Sequence, residues 1–278
     1  MTIAMGEIKM NLSKEYVDIY NEYLKFINEV EKDIKAINKI ERNVLKRNHI
    51  ATEEEIKAIE EEKIIEEEKN ILKKSGNKIY NFSNGDVYIG KMEDCKMNGK
   101  GSYEFRISDE VSIKYTGNFK DNMKDGYGTC VFANGNIYTG NFQKDMMNGI
   151  GKIIYKNEDE YIGNWQDNQK YGMGIYKWKE GCIYVGEFKN SKMEGYGVCY
   201  DKDGKLIYDG EWKNNLIHGQ GTYIWEEGKK YEGEFMHGKK HGQGIFYLNN
   251  ELVYEGTWKF DKPSIFNRSL EEIFSLKF

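Results

Sequence analysis

The sequence predicts a mainly β protein: an elongated single-layer antiparallel sheet of tandem β-hairpins, with an N-terminal α-helical hairpin or coiled coil and a short C-terminal helix. Three observations predict this fold. Tyrosines recur every 23 to 27 residues, glycines follow them at fixed distances, and turn-forming residues separate the runs between them. We expect residues 1–78 to form the helical segment, 79–266 the repeat array and 267–278 a C-terminal capping helix.

The composition fits a folded chain that neither spans a membrane nor binds nucleic acid. Of 278 residues, 14% are aromatic, and 30 glycines accompany a single proline, which favours β-hairpins over helical bundles. The formal net charge of −5 is spread along the chain, so no basic region is expected to bind nucleic acid. With no run of 18 apolar residues and no apolar leader, we expect a cytoplasmic protein without a transmembrane segment.

The first predicted element is a helix over about residues 12–44, because apolar residues recur there at heptad spacing. Thr52 and Glu55 form a capping box that opens a second, acidic helix ending near Lys74. Three roles for these helices stay open: packing on the sheet, homodimerisation as a coiled coil, or binding of a partner. The heptad positions are Tyr16, Tyr23, Val30, Ile37 and Val44.

The array follows as repeats that each open with a tyrosine. In the first seven, glycines follow at positions two, eleven and thirteen, as Gly117, Gly126 and Gly128 follow Tyr115. An aromatic residue stands four positions after the tyrosine in every repeat except the first, where it is Met92. Turn formers separate two strand-like runs, so each repeat is predicted to be one β-hairpin. The tyrosines are Tyr88, Tyr115, Tyr138, Tyr161, Tyr184, Tyr208, Tyr231 and Tyr254.

Residues two apart in a strand share a face, so the tyrosine, the glycine and the aromatic residue of each repeat are predicted to line one face. Because glycine weakens a strand, we interpret the paired glycines as slots for the ring of a neighbouring repeat. The spaced rings make this face a candidate docking groove. Its residues are Tyr115, Phe119, Tyr138, Phe142, Tyr161, Trp165, Tyr184, Phe188, Tyr208, Trp212, Tyr231, Phe235, Tyr254 and Trp258.

The opposite face is also predicted to be too apolar to remain bare. The returning strands place residues such as Tyr127, Ile150, Ile175 and Tyr196 on it. A contiguous patch of that kind exceeds what a soluble monomer normally exposes. We therefore expect another surface to cover part of it.

The segment at 231–244, Tyr-Glu-Gly-Glu-Phe-Met-His-Gly-Lys-Lys-His-Gly-Gln-Gly, resembles the MORN (membrane occupation and recognition nexus) repeat. The resemblance covers about residues 80–266; it departs from the pattern in the longer first repeat and at Ile265 and Asn267, which replace the paired glycines. It implies a non-enzymatic scaffold that binds protein partners in cytoskeleton- or cilium-associated settings. Two alternatives stay open: a peripheral membrane module that binds anionic phospholipid, and a regulatory module of a separate enzyme.

Lysines near the hairpin turns form a predicted basic margin of the sheet. Such a margin would attract anionic phospholipid by about 1 kcal/mol for each lysine near the surface. Asp121, Asp167 and Glu194 are mixed among the lysines, so solvated turn lysines are the favoured reading, and any lipid binding is expected to be weak. The margin consists of Lys170, Lys192, Lys213, Lys239 and Lys240.

No sequence motif of catalysis, nucleotide binding or metal binding is present. The four cysteines lie far apart with no CxxC pair, which favours reduced packing residues. We therefore expect no enzyme activity, no cofactor and no metal site.

The last predicted element is a helix that begins at a capping box formed by Ser269 and Glu272. The unpaired edge of a final hairpin needs cover, so a cap is the favoured reading. A helix that binds a partner is the alternative.

Overall fold

The computed structural model describes residues 77–108 and 111–264. These residues form one open antiparallel sheet of 17 strands and one short 3-10 helix, Glu226–Gly228. The mainly β prediction is confirmed for this part of the chain. The predicted N-terminal and C-terminal helices lie outside the described residues.

Each strand pairs with its neighbours in chain order, so repeats 1 to 8 are the hairpins β2–β3 to β16–β17. β1 pairs with β2 ahead of the first repeat. The strands are β1 (Lys78–Asn81), β2 (Val87–Glu93), β3 (Lys96–Arg106), β4 (Ser112–Lys120), β5 (Met123–Val131), β6 (Ile137–Gln143), β7 (Met146–Ile154), β8 (Glu160–Gln166), β9 (Gln169–Lys177), β10 (Ile183–Lys189), β11 (Lys192–Tyr200), β12 (Leu206–Lys213), β13 (Leu216–Ile224), β14 (Lys229–Met236), β15 (Lys239–Leu248), β16 (Glu251–Lys259) and β17 (Lys262–Pro263).

Two-residue turns close the hairpins, and both turn residues have positive φ. Asp167 and Asn168, for example, have φ values of 49° and 66°. Asn and Asp tolerate this left-handed conformation better than most residues, and the resulting turn matches the twist of antiparallel strands. The turn formers identified in the sequence therefore close the hairpins of the sheet.

The first and third glycines of each of the first seven repeats, at positions two and thirteen after the tyrosine, form one row across the sheet. Gly140 pairs with Gly151 within a hairpin, and Gly151 pairs with Gly163 of the next repeat. The same register is found in repeats 1 to 7. Because these residues lack side chains, the row leaves a continuous channel that larger side chains can fill.

Reciprocal hydrogen bonds join most hairpin turns to the strand that follows the preceding turn. The Asn168 N–H donates to the Met147 carbonyl at 3.0 Å, and the Asn168 Oδ1 accepts the Met147 N–H at 2.8 Å. We call this pair a turn clamp. Six of the seven joints between neighbouring turns have one. The exception is the joint at Gly238, which has no side chain and keeps only the backbone bond to Ile217.

Candidate interaction surfaces

The face that carries the repeat tyrosines is filled by its own rings. Each tyrosine of repeats 2 to 7 contacts two rings edge to face: the aromatic residue four positions later and the corresponding ring of the next repeat, while Tyr88 and Tyr254 each have one such contact. Tyr161 lies 5.2 Å from Trp165 and 5.0 Å from Phe188 between ring centroids. The alternation runs from Tyr88 to Tyr254 at 5.0–5.5 Å. Such pairs contribute about 0.5–1.5 kcal/mol each beyond the area they bury.

The polar atoms of these rings find partners inside the array. All eight repeat tyrosines donate their hydroxyl to the backbone carbonyl three residues later, at 2.9–3.1 Å. The indole N–H groups of Trp165, Trp212 and Trp258 donate to a glycine carbonyl of the preceding repeat. Burial raises the pKa of Tyr88 to about 12, so its hydroxyl remains a neutral donor at physiological pH.

The ring over each glycine pair belongs to the same hairpin, so the predicted ring from a neighbouring repeat is wrong. A Cβ atom added to Gly151 or to its partner Gly140 would overlap the Tyr138 ring or hydroxyl. Tyr138 leans along its own strand and covers the pair. Strand parity identifies the face of a side chain but not the direction in which it leans, which is why the sequence did not reveal this.

The predicted docking groove is therefore a hydrophobic core. Twelve of its fourteen residues are buried, while Trp212 and Tyr254 are half-buried. The spacing that suggested a docking surface is the spacing at which the rings pack on one another. The buried twelve are Tyr115, Phe119, Tyr138, Phe142, Tyr161, Trp165, Tyr184, Phe188, Tyr208, Tyr231, Phe235 and Trp258.

Two lysines of the predicted basic margin face this core. Lys240 is fully buried, and its Nζ lies 5.0 Å from the Trp258 ring centroid and 5.2 Å from that of Trp225. Lys170 is half-buried, with its Nζ 4.6 Å from the Tyr176 ring centroid. Burial lowers the pKa of both amines to about 8. Their assignment to a lipid-binding margin is wrong for Lys240, which has no exposed surface, and weakened for Lys170.

The repeat pattern explains why these two lysines point inward. Both stand nine positions after their repeat tyrosine, where four other repeats have an apolar residue: Met97, Met147, Met193 and Ile217. Comparison of this position between repeats could therefore have indicated that both lysines face the core. Lys192, Lys213 and Lys239 are exposed, so three of the five predicted lysines remain accessible.

We call the opposite face of the sheet the second face. One row crosses it in register: hydroxyl-bearing at the N-terminal end, aliphatic in the middle and acidic at the C-terminal end. Tyr127 and Tyr196 on the same face are exposed. The row consists of Ile89, Ser102, Thr116, Thr129, Thr139, Lys152, Ile162, Ile175, Val185, Val198, Asp209, Thr222, Glu232, Ile245 and Glu255.

The C-terminal part of the second face carries Asp209, Glu211, Glu232, Glu234 and Glu255, which we call the acidic stripe. Within it, Glu211 and Glu234 each accept a backbone N–H of the returning strand at 2.8 Å. Three earlier repeats have asparagine at that position: Asn118, Asn141 and Asn164. The face therefore changes from neutral to acidic along the array.

The acidic stripe was not predicted, although the sequence contains its signal. The residue directly after the repeat tyrosine is Asp or Glu in the last three repeats and uncharged in the first five. Reading only the aromatic and glycine positions of the repeat conceals this change. Comparing every repeat position in turn would have shown it.

The remaining chemistry of the described part is limited. Among residues 77–108 and 111–264, no three His, Cys, Asp or Glu side chains converge as metal ligands. The rings of His218 and His237 lie 5.6 Å apart between centroids. All four cysteines are free thiols. None of the helical structure described is long and apolar enough to cross a membrane.

A family model for the MORN repeat matches the chain in seven tandem segments, which together span more than half of its length. The matched residues are 115–137, 138–160, 161–183, 184–205, 208–230, 231–252 and 254–264. The family resemblance identified in the sequence is confirmed. No curated protein sequence matches the chain.

Solved structures with some likeness share little sequence with it. The TCP domain of SAS-4 (dCPAP) from Drosophila melanogaster, in complex with a proline-rich motif of Ana2 (dSTIL), is 13% identical with a TM-score of 0.31; the match covers 66% of this chain and 90% of that chain. A streptogramin B lyase structure is 15% identical with a TM-score of 0.14, covering 66% of this chain and 54% of that chain.

Proposed function

The chain belongs to the MORN repeat family, whose members are repeat proteins involved in protein or membrane interaction, and we propose that it is a non-enzymatic scaffold whose second face binds a protein partner. One observation carries the proposal. The rings of the aromatic face are buried against one another, whereas the second face has exposed rings at Tyr127 and Tyr196. Exposed aromatic residues beside aliphatic ones are typical of protein-binding surfaces.

The same proposal includes a cellular setting. A cytoplasmic scaffold associated with the cytoskeleton or a cilium fits the family resemblance. A sheet of seventeen strands offers a long, regular surface that can position a partner along several repeats at once.

Affinity capture with mass spectrometry tests the proposal on the full chain. A variant with Tyr127→Lys and Tyr196→Lys should lose partners that the unaltered chain retains, because two charges enter the centre of the docking surface. The matched control is Phe82→Lys with Phe105→Lys, which changes two similarly exposed rings on the side of the sheet that carries the repeat tyrosines. Partners bound equally by the unaltered chain and both variants would contradict docking on the second face.

A second candidate, binding of anionic phospholipid, is favoured by the exposed Lys192, Lys213 and Lys239. Acidic residues alternate with them, so we expect slight association that disappears at moderate salt, where the screening length falls below about 8 Å. Co-sedimentation with vesicles containing phosphatidylserine measures this. Salt-resistant binding that is lost in a triple Lys→Gln variant at these positions would favour the membrane over a protein partner.

A further inference from the structure

Two histidines meet at the joint that lacks a turn clamp. His218 follows one hairpin turn in β13, and His237 is the first residue of the next turn. Their ring centroids lie 5.6 Å apart. The backbone N–H of His237 points at Nδ1 of His218 from 3.5 Å, near the outer limit of a hydrogen bond. A nitrogen lone pair of the His218 ring therefore faces residue 237.

The repeat register brings the same two positions together at other joints. There, a side chain ten positions after the repeat tyrosine accepts the backbone N–H of the first residue of the next turn. The Asp121 N–H donates to Asn98 Oδ1 at 3.1 Å. The Asn214 N–H donates to Glu194 Oε2 at 2.8 Å. The fold of the array, and not an attraction between imidazoles, thus sets the short distance between the two histidines.

We propose that His218 and His237 together bind a zinc ion, which links the two turns where the clamp is missing. Zinc binds imidazole nitrogens at about 2.0–2.1 Å, so two imidazoles on one tetrahedral ion place their ring centroids about 5 Å apart. The observed separation of 5.6 Å is close to that value, and the exposed His237 side chain can rotate to close the difference. Water molecules complete the coordination.

The two ligands determine the class of ion and the strength of binding. Imidazole suits Zn²⁺, Cu²⁺ and Ni²⁺, whereas Mg²⁺ and Ca²⁺ require oxygen ligands. Within residues 77–108 and 111–264, no group of three His, Cys, Asp or Glu side chains can hold a metal ion. Two protein ligands therefore hold the zinc, and its binding is readily reversible. No sequence motif marks the pair, because the histidines are 19 residues apart and lie on different turns.

Titration of the full chain with zinc tests the site by isothermal titration calorimetry. His218→Gln or His237→Gln should weaken zinc binding about a hundredfold, because a single imidazole loses the gain from chelation. The matched control is His241→Gln, which changes the same repeat position as His218 but faces the Phe260 ring, 4.9 Å away between centroids. This control should bind zinc as the unaltered chain does, and Mg²⁺ should bind to none of them. Equal zinc affinities in all three variants would overturn the proposal.

Moving the pair to another joint separates a defined geometry from incidental binding by exposed histidines. Asn148 and Asp167 occupy the two corresponding positions, and the φ of 49° at Asp167 is close to the 53° of His237. In a chain with His218→Gln and His237→Gln, the added changes Asn148→His and Asp167→His should restore zinc binding. The control adds Asn148→His and Asn190→His instead, which places the imidazoles at different joints and should not restore it. Equal zinc affinities of the two transplanted pairs would overturn the proposal.

Two further measurements test whether the ion links turns of the same chain. Zinc should raise the melting temperature of the unaltered chain, because it binds the folded state, and leave that of the His218→Gln, His237→Gln chain unchanged. Sedimentation velocity should give the same mass with and without zinc. Oligomers that form only with zinc would assign the two histidines to different chains and overturn the proposal.

Discussion

The two faces of the sheet are built from the same strands but differ in how their side chains pack and vary. On the aromatic face, the repeat tyrosines from Tyr115 to Tyr231 are each enclosed by rings of their own and the next repeat, and their hydroxyls bond within their own strands, as Tyr161 shows. On the second face, the row from Ile89 to Glu255 changes from hydroxyl-bearing to aliphatic to acidic. The first face repeats almost without variation, whereas the second face varies with each repeat.

This difference separates stability from recognition. A ring that is enclosed by two others and hydrogen-bonded inside the array has no surface left for a partner. Ile89, Ser102, Thr116 and Val198 of the second face are buried, but most of its side chains are only partly buried, so much of its chemistry can change along the array without unfolding it. Substitutions should therefore be costly on the aromatic face and mild on the second face.

Removal of a core ring should have the largest effect. Trp165→Ala deletes a buried indole that contacts Tyr138 and Tyr161 and donates to the Gly151 carbonyl. We expect a loss of about 3–5 kcal/mol in the free energy of unfolding, measured by urea denaturation. The control on the second face is Tyr196→Ala, which removes an exposed ring and should cost less than about 1 kcal/mol. Comparable losses would show that both faces are structural.

Filling a glycine slot should be the next most costly change. Gly151→Val places a branched side chain where the Tyr138 ring lies over the glycine pair, and the Phe142 and Trp165 rings that pack on Tyr138 hinder its movement away. We expect a loss of about 3 kcal/mol in the same measurement. Gln220→Val introduces the same side chain at an exposed position of the second face and should change stability by less than about 0.5 kcal/mol. A tolerated Gly151→Val would refute the slot.

The sequence predicted the hairpins and the residues that share each of the two faces. Strand parity assigns each side chain to a face, whereas the pairing of Gly140 with Gly151 came from the structure. Asp167 and Asn168 likewise mark a hairpin turn because their side chains tolerate positive φ.

The sequence could not show whether the side chains of a face bury one another or remain open to a partner. Rings of successive repeats pack at 5.0–5.5 Å, as Tyr115 and Phe142 do at 5.2 Å, because each side chain leans over the adjoining strands. That contact depends on side-chain direction, which parity does not specify. For the same reason, Lys240 was assigned to the surface although it lies in the core.

Replacing the buried amine of Lys240 with an apolar side chain should stabilise the fold. Lys240→Met replaces a fully buried amine with the residue found at the same position in three other repeats, such as Met147 and Met193. We expect the free energy of unfolding at pH 7 to be about 1–2 kcal/mol higher in the variant. The matched control is Lys124→Met, which should gain less because the Lys124 side chain is half-buried and its Nζ lies 4.0 Å from an Asp145 carboxylate oxygen.

The pH dependence of this gain follows from the pKa of Lys240, which burial lowers to about 8. Between about pH 8 and 10.4 the unfolded chain binds more protons at this residue than the folded chain, so native stability rises with pH. The penalty is fully present below pH 8. The advantage of Lys240→Met should therefore be largest near pH 7 and shrink by pH 9.5, and an advantage independent of pH would contradict a buried charge.

The hairpin turns contribute stability without altering either face, and Gly238 allows that contribution to be measured. Six joints have the complete turn clamp, but the joint between Gly238 and Ile217 lacks the side-chain bond. Gly238→Asn should supply it, because φ at this residue is +80°, which asparagine tolerates, and an added Cβ atom meets no atom within 4 Å. We expect a gain of about 0.5 kcal/mol, near the lower value for one net hydrogen bond.

The opposite change at a complete clamp provides the control for that gain. Asn168→Gly removes the acceptor of the Met147 N–H, keeps a residue suited to a φ of +66° and alters neither face. Unfolding should become easier by about 0.5–1 kcal/mol, since one hydrogen bond is lost and glycine adds freedom to the unfolded chain. If Gly238→Asn leaves stability unchanged while Asn168→Gly lowers it, the cost at residue 168 comes from backbone freedom and the clamp bond contributes nothing. Shifts of opposite sign and similar size would assign the stability of the turns to the clamp, leaving the second face free to vary with its partner.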